Sequence, residues 1–279
     1  MAGARRMKRL SRDAAALLAW AVACSLAPGA FARAAHGKAA TGDVTGVWMV
    51  EPAYYLGARL SPQPMLTTQA QEQRRRRAAA TAAGYVRSVG NMLCQGGGGP
   101  ALSMIRSPFE VMQGFGRLTF IFETETFNQP RTVYLNETAQ PDNIFPSENG
   151  HSIGHWEGGT LVVDTVGFNG RSSFPGGVRA SEKAHIVERL SVSRDGKVLT
   201  DQITMTDPAS LAEPWTIALK YDRQPDTEER FEVTCEPDLE ALKTLDLNAL
   251  KDADPEVARL LDPSTRPTDP ALKIAKPNS

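Results

Sequence analysis

The feature that most constrains the fold is a series of short β-forming segments joined by turns of hairpin length. Gly158-Gly159 separates the segments 152–157 and 160–166, and Asp195-Gly196 separates another such pair. Two-residue turns of this composition are typical of antiparallel hairpins. Little helix-forming sequence lies between the segments, so the pattern predicts a mainly β fold, an antiparallel barrel or sandwich, rather than alternating strands and helices.

The first strand is separated from the others by the stretch 66–90, which is rich in Ala, Gln, Glu and Arg and therefore predicts a helix. Residues 237–279 favour short helices and a proline-rich end. The prediction is one barrel domain at 43–236, with the helical insertion at 66–90 and a C-terminal helical segment. We expect nine or ten strands, at 43–50, 109–113, 117–123, 130–135, 152–157, 160–166, 184–193, 197–206, 215–221 and 230–235.

Residues 1–34 have the pattern of a secretory signal peptide: a basic start, a short apolar run at 14–23, and small residues at the expected cleavage site. The apolar run is too short to span a bilayer comfortably. We therefore expect a periplasmic or secreted protein without a transmembrane segment after cleavage. Two alternatives stay open, a twin-arginine route through Arg5-Arg6 and lipid attachment at Cys24.

Removal of residues 1–34 takes away six basic residues and one acid, so the net charge changes from −1 to −6. A mildly acidic chain has no electrostatic reason to bind nucleic acid or an anionic membrane surface. The two remaining cysteines are Cys94 and Cys235. An even pair in an oxidising compartment favours a disulfide, with a reactive thiol or a metal ligand as the alternatives.

The stretch 149–167 carries most of the titratable side chains beside a clear structural signal. His151-x-x-x-His155 suggests a metal site, but four glycines in this stretch disfavour the helix that would bring the two imidazoles together. On a strand, residues four apart lie roughly 13 Å from each other. We therefore predict no metal here, unless a bend at Gly154 brings the pair together.

A Gly158-Gly159 turn places Glu157 opposite Thr160 and His155 opposite Val162, so that both pairs share a face with Asp164. On the strand 184–193, His185 and Arg189 share one face and Glu188 lies on the other. If the polar face lines the barrel interior, His155, Asp164 and either His185 or Glu188 form an acid–base site, because histidine gives and takes protons near neutral pH. His151 is a further catalytic candidate.

Trp156, Glu157 and Arg189 are the candidate ligand contacts, although a core position is the alternative for Trp156. The glycine run at 95–100 lacks the Lys-Ser/Thr of a phosphate loop. We therefore expect no organic cofactor. Ser152 is not part of a nucleophile elbow, which disfavours a serine nucleophile.

Gly46-Val47-Trp48 on the first strand is similar to the Gly-x-Trp signature of lipocalins and related calycin β-barrels. That resemblance implies a lipocalin-like barrel in which an arginine near the last strand packs over the tryptophan, and Arg230 is the candidate. The motif at 150–168, followed by 184–189, resembles a family of exported bacterial proteins of largely unassigned function. This second resemblance implies export and a β-rich fold, but no reaction.

Three functional hypotheses follow. The first is an exported β-barrel lyase, isomerase or hydrolase that acts on a small, mainly apolar or aromatic molecule by histidine and carboxylate chemistry. The second is a lipocalin-like binding or carrier protein without turnover, because barrel mouths are common ligand sites. The third is a structural protein of the cell envelope, which needs only the fold.

Overall fold

The computed structural model describes residues 42–52, 60–82, 98, 107–123, 130–174, 178–226 and 248. Within this part the chain forms one helix and eleven strands. Their bounds are β1 Gly46–Val50, α1 Thr68–Ala82, β2 Phe109–Gly114, β3 Arg117–Phe122, β4 Arg131–Tyr134, β5 His151–Glu157, β6 Thr160–Val166, β7 Ser173–Phe174, β8 Val178–Arg179, β9 His185–Val192, β10 Val198–Thr206 and β11 Trp215–Arg223.

Nine of the strands close into a barrel in the order β1-β11-β10-β9-β6-β5-β4-β3-β2. Closure depends on β1, which pairs with β2 on one side and with β11 on the other. The strands β7 and β8 form a separate two-stranded sheet. The prediction of a mainly β barrel with a helix after the first strand is confirmed.

One pair departs from the antiparallel pattern. The strands β4 and β5 run parallel over two register positions, Val133 with Ser152 and Tyr134 with Ile153. A parallel pair cannot be joined by a hairpin, so the connection 135–150 has to cross to the opposite end of the neighbouring strand. This connection lies against the outer face of β6, where Gln140 bonds to Asp164.

The two predicted hairpin turns form as expected. Glu157 lies opposite Thr160 and His155 opposite Val162 in the β5–β6 hairpin. Gly158 there has a φ of +59°, a conformation that a glycine adopts without steric cost. At the second turn, Ser193 and Asp195 side chains bond across the loop between β9 and β10.

Trp48 lies on β1 and is fully buried. Its indole nitrogen donates to the Val44 carbonyl at 3.0 Å, and the Arg223 guanidinium lies 4.2 Å from the ring centroid. Gly46 makes this possible, because a Cβ at that position would lie 2.1 Å from the Arg223 Nη1. The arginine over the tryptophan is therefore Arg223, whereas the predicted candidate, Arg230, lies outside the described residues.

The rest of the interior is filled by side chains that alternate along the strands. Phe109 contacts three other aromatic rings, with centroid distances of 6.2 Å to Phe120, 5.5 Å to Phe122 and 5.1 Å to Tyr221. Aromatic pairs of this kind contribute about 0.5–1.5 kcal/mol beyond their buried area. The barrel centre is thus a packed core.

The helix α1 begins beside Thr67, whose hydroxyl accepts the Ala70 amide at 3.1 Å. Exposed Arg75 and Arg76 pair with Glu72, and their hydrogen bonds lower the pKa of Glu72 to about 2. This agrees with a solvated helix face. No helix in the described ranges has both the length and the hydropathy needed to cross a bilayer.

Several predictions concern segments outside the described residues. They are the signal peptide at 1–34, the end of the helical insertion at 83–90, the strand at 230–235, the pair Cys94 and Cys235, and all of the C-terminal segment except Asn248. These stay predictions.

Candidate functional site

The wall formed by β5, β6 and β9 presents titratable side chains on both of its faces. Leu161 and Val163 are fully buried, which identifies the inner face of β6. Asp164 therefore points outward, and the register brings His185 to the same outer face. Glu188 points inward and is 2% exposed. The expected convergence of His155, Asp164 and His185 or Glu188 inside the barrel does not occur.

The outer face carries a connected set of four side chains, which we call the outer network: His185, Asp164, Gln140 and His151. Nε2 of His185 donates to Asp164 Oδ2 at 2.7 Å. The Gln140 amide nitrogen donates to Asp164 Oδ1 at 2.8 Å and to its backbone carbonyl at 3.1 Å. Gln140 Oε1 then lies 3.0 Å from His151 Nδ1.

The two acceptors of Asp164 fix the orientation of the Gln140 amide. Its oxygen faces His151, so Nδ1 of that ring carries a hydrogen. The second ring nitrogen of His151 lies 3.5 Å from Glu137 Oε2, and the ring stacks on Tyr134 at 5.0 Å. Both nitrogens of His151 thus face polar side chains of the connection 135–150, which makes His151 an anchor for that connection.

His185 is in a different situation. Because Asp164 takes its Nε2–H, the neutral ring keeps a lone pair on Nδ1. Within the described residues Nδ1 has no hydrogen-bond partner, and the side chain is 43% exposed. Ile153 and Val187 lie on either side of Asp164 in the register and give the dyad apolar flanks. A histidine held in this way can take a proton from a molecule in solvent.

His155 does not join the outer network. Its Nε2 lies 3.1 Å from Glu157, which also accepts from Arg189 at 2.7 Å. The bond from Arg189, followed by that from His155, lowers the pKa of Glu157. All three side chains are largely exposed. Exposed ion pairs of this kind contribute little to stability.

The two histidines of the His151-x-x-x-His155 motif do not converge in the structure. The strand β5 runs without a break from His151 to Glu157, so the possible bend at Gly154 is not seen. The two imidazoles bond to different partners, Gln140 and Glu157. No cluster of three potential ligands is found within the described part of the chain.

Trp156, a candidate ligand contact, packs partly buried against the core.

The inner face carries what we call the inner ionic cluster: Arg131, Glu188, Asp201, Ser152 and Thr165. All five side chains are buried. The Arg131 fork donates from Nη1 to Glu188 Oε1 at 2.8 Å and from Nη2 to Glu188 Oε2. Its Nη2 also reaches Thr165 Oγ1 at 3.0 Å. Arg131 lies 5.6 Å from the Phe120 ring centroid.

Asp201 gives this cluster a second carboxyl group for a single guanidinium. Burial, followed by the charge of Glu188, raises the pKa of Asp201 well above its usual range, although Arg131 opposes the shift. Asp201 is 3% exposed, and its Oδ1 has no hydrogen-bond partner. The raised pKa of Asp201 favours its protonated form, and with that proton the cluster is electrically neutral, which is the form that a barrel interior tolerates.

Sequence reasoning found His151, Asp164, His185 and Glu188 but missed Gln140, Arg131 and Asp201. Asp201 carried a usable signal, because it lies between Leu199 and Ile203 on the apolar face of a strand pattern. Gln140 carried none, since it lies in a connection without periodicity. Its role depends on the fold of the whole wall.

Comparison with known proteins gives no further guide: no protein-family profile matches the sequence, and no curated protein resembles it significantly. The resemblances of 46–48 to the calycins and of 150–168 to exported bacterial proteins therefore stay predictions. Functional conclusions rest on the geometry of the two clusters.

Proposed function

We propose that the chain is an exported enzyme that moves a proton on a small molecule, with His185 as the acid–base group and Asp164 as its partner. The observation that carries this proposal is the 2.7 Å bond between His185 Nε2 and Asp164 Oδ2, in a side chain that is 43% exposed and whose Nδ1 has no hydrogen-bond partner among the described residues. Export is proposed from the signal-like sequence at 1–34.

The step follows from the tautomer. Nδ1 of His185 takes a proton from the substrate, and Asp164 stabilises the imidazolium that forms. Nδ1 then returns the proton to another atom of the same molecule, as in an isomerase, or to a leaving group, as in a lyase. The step needs no oxidant, reductant or co-substrate. The apolar flanks Ile153 and Val187 favour a substrate that is partly apolar.

Deuterium wash-in tests this proposal without a known substrate. The protein is incubated in D₂O with a panel of small aliphatic and aromatic carbonyl compounds, and the incorporation of deuterium is followed by mass spectrometry. We expect exchange for a subset of the panel, and His185→Gln should slow it about 10²- to 10⁴-fold. The matched control is His155→Gln, which should keep the wild-type rate because His155 lies outside the outer network.

A binding protein without turnover is the second candidate. The closed barrel and the stacking of Arg223 on Trp48 favour it, because both features suit a lipocalin-like scaffold. Tight binding of an apolar compound without exchange or conversion would support this candidate and contradict the enzyme. Loss of turnover in His185→Gln with unchanged ligand affinity would contradict the carrier.

A further inference from the structure

A polar cleft of about 480 Å³ lies at the end of the barrel where β9 begins and β10 ends. We call it the rim cleft. The side chains of Gln69, Gln73, Glu182 and Lys183 line its mouth, and Ser181 and Ser210 line its floor. Ligand pockets usually have volumes of about 300–1,000 Å³ and a few convergent polar groups. The rim cleft meets both conditions.

The floor is built around one buried carboxylate. Asp207, which is 2% exposed, accepts hydrogen bonds from the Ser181 amide at 2.7 Å, the Ser181 hydroxyl at 2.7 Å and the Ala209 amide at 3.0 Å. Ser210 Oγ donates to the Arg179 carbonyl at 2.6 Å. These bonds join the loops before β9 and after β10, so the cleft exists before any ligand arrives.

The helix is joined to the same floor. Thr67, directly before α1, donates from its hydroxyl to the Ala209 carbonyl at 2.8 Å. Gln69 and Gln73 are one helical turn apart and therefore project from one face of α1. Both residues are exposed and line the rim cleft.

The four side chains at the mouth have no hydrogen bond or ion pair among the described residues. Glu182 and Lys183 are adjacent and opposite in charge, and they are not paired with each other. Arg179 Nη1, by contrast, is directed to the Gly170 carbonyl at 3.0 Å. Besides Arg179, the cleft lining thus offers one anionic group, one further cationic group and two amides.

We propose that the rim cleft binds a short zwitterionic peptide. The ammonium group of the ligand pairs with Glu182, its carboxylate pairs with Lys183, and the Gln69 and Gln73 amides meet its amide groups. The proposal is independent of proton transfer at His185, because it concerns binding by other side chains.

The test is an NMR titration of the purified chain with L-alanyl-L-glutamine, followed through the backbone amides of 181–183, 209 and 210. Two analogues each lack one terminal charge, the N-acetylated and the C-amidated dipeptide. We expect shifts at these amides with millimolar affinity and a loss of about twofold to fivefold for each analogue, as is typical of one exposed ion pair.

Two variants locate the charges. Lys183→Gln should bind the parent dipeptide as weakly as the wild type binds the amidated analogue, and it should no longer distinguish the two. Glu182→Gln should do the same for the acetylated analogue. Lys220→Gln and Glu213→Gln remove exposed charges outside the cleft lining and should change nothing.

Two results would overturn the proposal. One is the absence of shifts at these amides in about 10 mM dipeptide, a concentration well above a millimolar dissociation constant. The other is that both variants lower the affinity for the parent dipeptide and for its two analogues by the same factor. That result would mean that neither Lys183 nor Glu182 pairs with a charged terminus of the ligand. Neither result bears on deuterium wash-in at His185.

Discussion

The inner and outer faces of the wall formed by β5, β6 and β9 both present titratable side chains, but the inner ones are buried and the outer ones are partly exposed to solvent. Inside the barrel, Arg131, Glu188 and Asp201 are all nearly without contact to water, and the cluster is neutral only if one carboxyl keeps its proton. Outside, His185 and Asp164 are about two-fifths exposed, and His185 keeps one ring nitrogen unused. Buried charges constrain the fold, whereas partly solvated ones remain available for chemistry. The difference predicts where a substitution affects stability and where it affects reactivity.

The largest effect should come from breaking the inner ion pair. Arg131→Met leaves Glu188 buried without its guanidinium and should lower the free energy of unfolding by about 3–5 kcal/mol. Urea denaturation at neutral pH measures this loss. The double variant Arg131→Met, Glu188→Met should recover most of it, because no unpaired charge remains inside. A loss below about 1 kcal/mol for the single variant would mean that the cluster is more solvated than its burial indicates.

The second effect concerns the proton on Asp201. Burial raises the pKa of Asp201 in the folded state above its unfolded value, so the folded state binds this proton more tightly. The stabilisation due to the Asp201 proton is fully present below about pH 4, the pKa of an aspartate in the unfolded chain. It is lost as the pH rises towards the pKa of the folded state, at up to about 1.4 kcal/mol per pH unit.

Asp201→Asn removes this titration while keeping the shape of the side chain. We expect the free energy of unfolding of the variant to depend less on pH between pH 5 and 8 than that of the wild type, so that the variant becomes relatively more stable as the pH rises. Urea denaturation midpoints at pH 5 and pH 8 measure this difference. Parallel curves for the two proteins would show that Asp201 carries no proton in the folded state.

A smaller change in stability, but a clear spectroscopic one, should follow substitution of the outer carboxylate. Asp164→Asn should cost about 1 kcal/mol or less, because the side chain is partly exposed. The asparagine presents an amide that no longer favours the Nε2–H tautomer of His185. Imidazole ¹⁵N shifts of His185 should therefore move towards a mixture of tautomers, while those of His155 stay unchanged.

The smallest effect should be at the exposed pair Glu157 and Arg189. Both side chains are nearly half exposed, so Arg189→Ala should leave the urea midpoint almost unchanged. The same measurement at high salt provides the control, since screening removes what little attraction exists. A clear destabilisation would show that this pair contributes more to stability than exposed ion pairs usually do.

The sequence was sufficient to predict the hairpin turns and the strands that they join, although not the short strands β7 and β8. The Gly158-Gly159 turn determined the β5–β6 register, and the register determined that His155, Glu157 and Asp164 share a face. Alternation alone does not reveal which face is the core when both faces contain charges. Here Leu161 and Val163 on β6 decide it, because the barrel closes around them and leaves Asp164 outside.

Contacts between distant segments could not be predicted in this way. Gln140 reaches Asp164 only because β4 and β5 run parallel, which sends the connection 135–150 back across the outer wall. Arg131 and Glu188 are far apart in sequence and meet through barrel closure. No periodicity in a single sequence encodes either meeting.

The short parallel ladder between β4 and β5 also gives the barrel a seam. Two register positions hold this junction, whereas the neighbouring β5–β6 ladder has seven. Amide exchange should therefore start at the seam, since short ladders open at lower free energy than long ones. The strap that spans it, 135–150, also holds Gln140 against Asp164. Opening of the β4–β5 ladder should therefore also disturb the hydrogen bonds through which Gln140 and Asp164 orient His185.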